Sequence, residues 1–405
     1  MAQKQPTQEE LAAIQAARNA DFMKFSHVSY IPANSQNNDT FTTSKTINFN
    51  APIISGGFAN EITLRVKLKI DVDGTTGALK PTASYPYSLV NRVKILFGND
   101  VQNVHPYVAY INDLLEGYGR QSQSDVLGKR SATIDNLLNK IPQGDLTAGE
   151  HEFDFEITLP LNSLHEGSAN GLIPLTSAGT TLQIQASTCQ NLVGNDALEN
   201  PLYTTGDFTA TVVEGKVEVI VGYRDYSSFY TSQSIQPDIS GLPSVQLIEL
   251  PAISNLSQGT VNNVSFRNPY LTAKIFHIVV DGVSPAKFSS ADNISSFSYD
   301  KAENSNSAFL RFDESNGGMR TYYKMIRSVV GNDLPEGVLV MDATVGVPGR
   351  NIANVSSKQG VNYMNLIEYP AARFGVKVDK VDTAKTTPRV ISFAHILNDK
   401  GVQAR

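Results

Sequence analysis

Residues 61 to 72 read Glu-Ile-Thr-Leu-Arg-Val-Lys-Leu-Lys-Ile-Asp-Val, with aliphatic and polar residues alternating without a fault. A period of two puts Ile62, Leu64, Val66, Leu68, Ile70 and Val72 on one side of an extended chain. Glu61, Thr63, Arg65, Lys67, Lys69 and Asp71 then line the other. A helix cannot segregate that pattern. The segment is therefore a β-strand with one face in a core and the other in water or at an interface. At ~3.3 Å per residue it spans roughly 35 to 40 Å, as a tall sandwich wall does, and Asp73-Gly74 marks a turn at its end.

The same texture recurs along the chain. Phe41, Thr43, Lys45, Ile47 and Phe49 share one side of an extended run. Further strands are expected near 89–97, 152–159, 180–187, 207–213 and 216–222, divided by loops bearing Gly, Pro and Asn. After a Ser-, Gln-, Gly- and Pro-bearing stretch from Tyr226 to Pro243, strands return near 245–250, 261–267, 271–281, 294–299, 308–312, 337–342, 361–368, 373–381 and 388–396. No βαβ alternation appears, so the fold class is all-β. At 405 residues the chain exceeds the ~250 to 300 at which single cores stop growing, so two sandwiches are expected, cut near 240. The expected units are a helical arm at 1–26, β domains at 27–240 and 241–397, and a tail at 398–405.

Helices are few. Thr7 and Glu10 have capping-box spacing, and Leu11, Ile14, Phe22 and Phe25 fall on one side of a helix over 7–25, with Arg18 interrupting the stripe. Short helical patterns occupy 105–117 and 132–140. Met319, Tyr322, Tyr323, Ile326, Val329 and Val330 form a longer one after Asn316-Gly317-Gly318, and Gly331 stops it.

Thirty-three Lys and Arg against 39 Asp and Glu leave a net charge of -6, which excludes binding nucleic acid by bulk phosphate neutralisation. Cys189 stands alone, so stability comes from packing and association, which suits folding in a reducing cytoplasm. No apolar run has the length or flanks of a signal peptide or membrane span. Asn-x-Ser/Thr triplets at Asn38, Asn255, Asn263, Asn293 and Asn354 are ascribed to chance in an Asn- and Ser-rich chain.

Tyr87–Asp100, Gly149–Leu161 followed by Thr181–Gln185, the helix leading into Asp333–Asp342, and the Gln- and Ala-rich amino-terminal helix stand out as further segments. Together they resemble the major capsid proteins of tectivirus-like phages, the tailless, icosahedral, internal-membrane double-stranded DNA bacteriophages. The stretch Ala343–Gly360 departs from that pattern. The resemblance implies two tandem eight-stranded jelly-roll sandwiches, a double jelly roll, with an amino-terminal amphipathic helix and a few short loop helices. It further implies pseudo-hexagonal homotrimers tiling an icosahedral shell over an internal membrane, with penton and minor membrane proteins as further partners. In that scheme Leu11, Ile14, Arg18, Phe22 and Phe25 form a membrane-proximal assembly arm, and the tail after Asn398 is a clamp. Arg311, Arg320, Lys324 and Arg327 form a basic cluster assigned to a subunit contact. The virion is the implied location, and no cofactor is called for.

The chemistry that would argue for an enzyme is confined to one place. Glu150, Glu152, Asp154 and Glu156 share a strand face opposite Phe153, Phe155, Ile157 and Leu159. Carboxylates two residues apart lie ~6.5 to 7 Å from each other, a spacing that suits a glycosidase pair or calcium. Active sites and calcium sites draw ligands from several elements, so pairing with Lys and Arg of a neighbouring strand is the favoured expectation. A carbohydrate-binding or carbohydrate-active sandwich, or a viral spike or penton component, is the alternative function. His151 falls on the apolar side of the acidic strand, and no two of His27, His105, His165, His277 and His395 have metal-ligand spacing. Tyr223-Arg-Asp-Tyr-Ser-Ser-Phe-Tyr230 is assigned to packing near the domain boundary rather than to carbohydrate or base stacking.

Overall fold

The alternating segment is longer than its pattern alone indicates. In the structure, a computed structural model, it belongs to a strand of 16 residues, Phe58–Asp73. The residues described are 7–98, 100–116, 140–161, 171–175, 181–226, 237, 244–265, 271–284, 286–300, 308–313, 317–330, 334–342, 364–365 and 372–398. The expected helix at 132–140 apart from Lys140, the cut at 240, the stretch 343–360, most of the strand at 361–368 and the tail beyond Asn398 lie outside them.

The main strands are, in chain order, β1 (Ser26–Pro32), β2 (Thr46–Asn50), β3 (Phe58–Asp73), β4 (Val90–Phe97), β5 (Asp100–Val104), β6 (Gly149–Pro160), β7 (Gln183–Thr188) and β8 (Thr209–Tyr226). There follow β9 (Ser244–Ile253), β10 (Val261–Ser265), β11 (Leu271–Val280), β12 (Ile294–Asp300), β13 (Ala308–Phe312), β14 (Val338–Asp342), β15 (Arg373–Val378) and β16 (Arg389–Asn398). The first eight form sheets ordered β1-β8-β3-β6 and β2-β7-β4-β5. The second eight form sheets ordered β9-β16-β11-β14 and β10-β15-β12-β13. Numbered within its own half, each set gives the same order, 1-8-3-6 over 2-7-4-5. That is the double Greek-key wrapping of a jelly roll, made twice. A helix enters each roll at the same place: α2 (Pro106–Glu116) between β5 and β6, and α3 (Gly318–Val330) between β13 and β14.

Alternation explains the cores. From the first sheet Ile62, Leu64, Val66, Phe155, Ile157, Val217 and Val219 are buried, and from the facing sheet Ile47, Phe49, Val93, Ile95 and Ile184. The second roll centres on rings. Phe297 meets Phe312 at 5.0 Å and Tyr322 at 4.7 Å between centroids, and His277 stacks on Phe374 at 3.6 Å. Helix α3 supplies Met319, Tyr322 and Ile326 to this core. The Tyr322 hydroxyl accepts the Val340 N–H at 2.7 Å and faces the Val340 carbonyl at 3.2 Å, which ties α3 to β14.

Three sequence expectations change: the run from Phe41 to Phe49 is extended strand only from Thr46, because Thr43 and Ser44 form a turn, with Ser44 in the left-handed region. Segments 207–213 and 216–222 are one strand, β8, because a bulge between Val212 and Glu214 absorbs the break and pairing with β3 continues past it. Strands β1 and β5, absent from the sequence expectation, form the edges of their sheets.

The rolls are bonded to each other. Asp196, in the loop after β7, accepts from Arg389 Nη1 at 2.6 Å and Nη2 at 3.0 Å and from Thr386 Oγ1 at 2.9 Å. Edge strands β5 and β9 lie side by side, with Leu247 N–H donating to Gln102 Oε1 at 3.4 Å and Arg92 reaching Glu249 at 3.0 Å. The Ala83 N–H donates to the Ala286 carbonyl at 2.9 Å, and Tyr107 of α2 packs on Phe288 at 5.3 Å.

Two substitutions test these supports. Tyr322→Phe leaves the buried Val340 N–H without its acceptor and is expected to lower unfolding stability by about 1 to 3 kcal/mol in urea titration. Asp196→Ala strands Arg389 in a half-dry junction, and a loss of about 3 kcal/mol is expected.

Candidate functional site

The acidic face of β6 lies against the basic face of β3. Arg65 forks onto Asp154, its Nε and Nη2 each 2.7 Å from a carboxylate oxygen, and its Nε lies 3.7 Å from Glu156. Lys69 meets Glu150 at 2.6 Å. On the other side of β3, Lys67 meets Glu218 of β8 at 3.1 Å, and Lys216 links Glu218 at 3.0 Å to Asp39 at 3.3 Å. The register places Lys67 opposite Asp154 and Lys69 opposite Glu152, so the close pairs on β6 are diagonal, within reach of long side chains. The Arg65 hydrogen bonds hold the Asp154 carboxyl below its usual range, and the same bonds raise the guanidinium. A general acid needs the opposite shift, a carboxyl raised toward neutrality. Among the described residues no group of three or more His, Cys, Asp and Glu is placed to hold a metal ion.

Several other reactive groups among the described residues are held in structural bonds or buried. His151 is half-buried with Nε2 2.7 Å from the Thr147 carbonyl. Burial pushes the Cys189 thiol up to about 12, so it carries no thiolate at neutral pH. His105 accepts the Tyr107 N–H on Nδ1 at 3.1 Å and places Nε2 3.0 Å from the Leu198 carbonyl, which fits the neutral ring with its proton on Nε2. Burial pushes His105 down to about 4 and His277 to about 3. At Asp196 burial opposes ionisation, but the Arg389 hydrogen bonds and charge outweigh it and the carboxyl stays below its usual range. Asn293 is buried, donating to Asp281 at 2.6 Å and to the Lys380 carbonyl at 2.9 Å, so that triplet has no free amide for a glycan.

The arm is a helix, α1 (Gln8–Phe25), closed by the expected capping box: Thr7 N–H donates to Glu10 at 2.7 Å and Glu10 N–H to Thr7 Oγ1 at 3.3 Å. Of the sequence stripe only Phe22 is buried. Asn19, Phe22 and Met23 are buried at its end, while Leu11 (51%), Ile14 (54%), Arg18 and Phe25 (36%) are exposed. Phe22 meets Phe58 at 5.3 Å. Arg224 on β8 donates to the Met23 carbonyl at 3.4 Å and to Ser26 Oγ at 3.3 Å, so the basic residue of the 223–230 stretch caps the helix. One end of α1 is thereby fixed to the first roll, and the other carries uncovered apolar residues. Among the described residues no helix is long and apolar enough to cross a membrane.

In the basic cluster, Arg311 pairs with Asp313 at 3.0 Å, and Arg320 and Lys324 are exposed one turn apart on α3. The Arg327 side chain lies outside the described residues. Sequence inspection missed the Asp196–Arg389 junction, whose partners are 193 residues apart and belong to no local pattern.

Two predictions concern these groups. Asp154→Ala is expected to cost about 1 kcal/mol, less at high salt, because the pair is partly exposed; thermal unfolding at two ionic strengths measures it. For the histidines the native values lie below the unfolded value of about 6.5. The unfolded chain therefore binds more protons as pH falls below 6.5, and the stability contributed by the neutral rings is lost on the way to about 4. Melting temperature is expected to fall between pH 6.5 and 4.5, and to fall less in a His277→Phe/Ser392→Ala protein, which replaces the bonded pair as a unit. An unchanged slope would remove His277 from the account.

No protein-family model matches the sequence, and no curated protein matches it significantly. Solved structures do match. The MCP of STIV, the Sulfolobus Turreted Icosahedral Virus, superposes with a TM-score of 0.58 over 93% of this chain and 98% of that one, at 11% identity. PBCV-1 VP54 gives 0.56 over 92% and 93%, also at 11% identity. The Faustovirus major capsid protein gives 0.51 over 92% and 90%, at 7% identity. At such identities the shared property is the fold, and it extends over both rolls. The chain is a double jelly-roll protein, similar along nearly its whole length to the capsid proteins of these viruses.

Proposed function

We propose that this chain is a major capsid protein, a structural subunit that forms pseudo-hexagonal homotrimers tiling an icosahedral shell over an internal membrane enclosing double-stranded DNA. The observation that carries the proposal is the pair of jelly rolls with one strand order, bonded into a single block and matched end to end by viral capsid subunits. Three such chains supply six similar blocks around a threefold axis, which is a nearly hexagonal tile. The two rolls are assigned to 27–240 and 241–397, and penton and minor membrane proteins are the further partners in the virion. Synthesis and folding are assigned to the host cytoplasm.

Ion pairing of Asp154 and Glu150 by Arg65 and Lys69 supports a structural wall at the acidic strand rather than hydrolysis there. The arm fits an assembly role because its exposed turn, with Leu11 and Ile14, projects from a fixed end.

Light scattering on the purified protein is expected to give a mass of three chains across a wide concentration range. Removing residues 1–17 spares Asn19, Phe22 and Met23, so trimers are expected to persist while assembly into particles fails. Normal particles from the truncated protein would refute the role of the arm.

A further inference from the structure

His105 stands just before α2, and its ring caps that helix. The Tyr107 N–H donates to Nδ1 at 3.1 Å, which satisfies one of the amides in the first turn. On the other side of the ring, Nε2 donates to the Leu198 carbonyl at 3.0 Å, in the loop after β7. One neutral ring therefore joins the start of a helix to a loop 93 residues away. Both segments are ones that the first roll holds against the second. Tyr107 packs on Phe288, and Asp196 of the loop accepts from Arg389 and Thr386. His105 is only 6% exposed, so a charge formed there stays out of water.

Protonation acts against each of these contacts. A doubly protonated ring has no lone pair for the Tyr107 N–H, so the cap becomes two donors facing each other. It also sets a positive charge at the positive end of the α2 dipole. The charged groups around the ring do not compensate. Arg92 on β4 and Arg389 on β16 disfavour its charge, and Asp196, which favours it, is committed to Arg389 and Thr386. Glu199 of the same loop reaches Arg389 at 4.0 Å, and Glu249 of β9 pairs with Arg92 at 3.0 Å.

We infer that His105 is an acid-released latch within the chain: its protonation frees the start of α2 and the 194–200 loop from the second roll while both β cores stay folded. The latch belongs to the single chain and holds whatever the oligomer. With the junction closed, burial pushes the ring down to about 4, and released into water it returns to about 6.5. The closed junction is thus fully favoured above pH 6.5 and loses that advantage as pH falls to about 4. Between pH 7.5 and 4.5 the histidine alone raises the ratio of open to closed by roughly 70-fold. Glu199 works the other way, since burial and Asp196 hold its carboxyl above the usual range and its protonation eases the closed state.

Hydrogen exchange read by mass spectrometry on the full-length protein, from pH 7.5 to 4.5 and corrected for the intrinsic pH dependence of amide exchange, follows the opening segment by segment. In the parent, opening at 107–112 and 194–200 is expected to rise at least tenfold on acidification, by the linkage above, while β3 and β15 stay protected. His105→Asn keeps a capping oxygen for α2, His105→Gln keeps a donor for Leu198, and neither side chain titrates. In both, the acid-induced rise at these two segments is expected to vanish, whatever the level of opening at pH 7.5. A parent with no rise, or a rise that persists undiminished in both variants, would overturn the latch. So would exchange of β3 and β15 in step with the junction, because that is unfolding of the whole chain.

Discussion

The structure depends on β3 holding one register across the whole height of the first roll. Its neighbours β6 and β8 pair along almost its entire length, so a slip of one residue would turn Lys67 and Lys69 into the core and Leu68 and Ile70 out of it. The core face makes that slip costly, since each buried aliphatic side chain is worth about 1.5 to 3 kcal/mol. The outer face enforces the same register through Arg65–Asp154, Lys69–Glu150 and Lys67–Glu218. Individually these partly exposed pairs stabilise little, so the buried face carries most of the preference.

The second dependence is the union of the rolls. Without bonds across their junction, two sandwiches in one chain would hinge against each other. Asp196 prevents this by gripping Arg389 and Thr386 while its own loop is bound to the first roll: Leu198 at His105, and the Asn200 and Pro201 carbonyls at Thr82. His105 also sets the start of α2, whose Tyr107 rests on Phe288 across the junction. A few groups clustered at the loop end of both sandwiches therefore join the two cores.

Much of the fold was legible in the residues because an antiparallel strand with one dry face writes its own period. The strands around Val93, Phe155, Ile184, Ile275 and Phe374 were all visible in this way. β1 was not, because Val28 and Tyr30 point outward on a strand that follows α1 with no turn residue between them. Nor was the continuity of β8, where a bulge disguises one strand as two. The acidic row was readable as a row, and the cations that pair with it, Arg65 and Lys69, were assigned only by the structure. In α1 the apolar stripe was real, yet burial followed Asn19, Phe22 and Met23, because Phe58 and Arg224 lie on that side.

By itself the sequence determined that the chain is mainly β with a few helices, that it is long enough for two cores, and which face of each clear strand is dry. These are properties of local period and length. The strand order repeated in both rolls, the ion-pair partners of the acidic strand and the Asp196–Arg389 junction were decided only in three dimensions. Each depends on which segments meet across tens to hundreds of residues, and that choice is made by the packing of both cores at once.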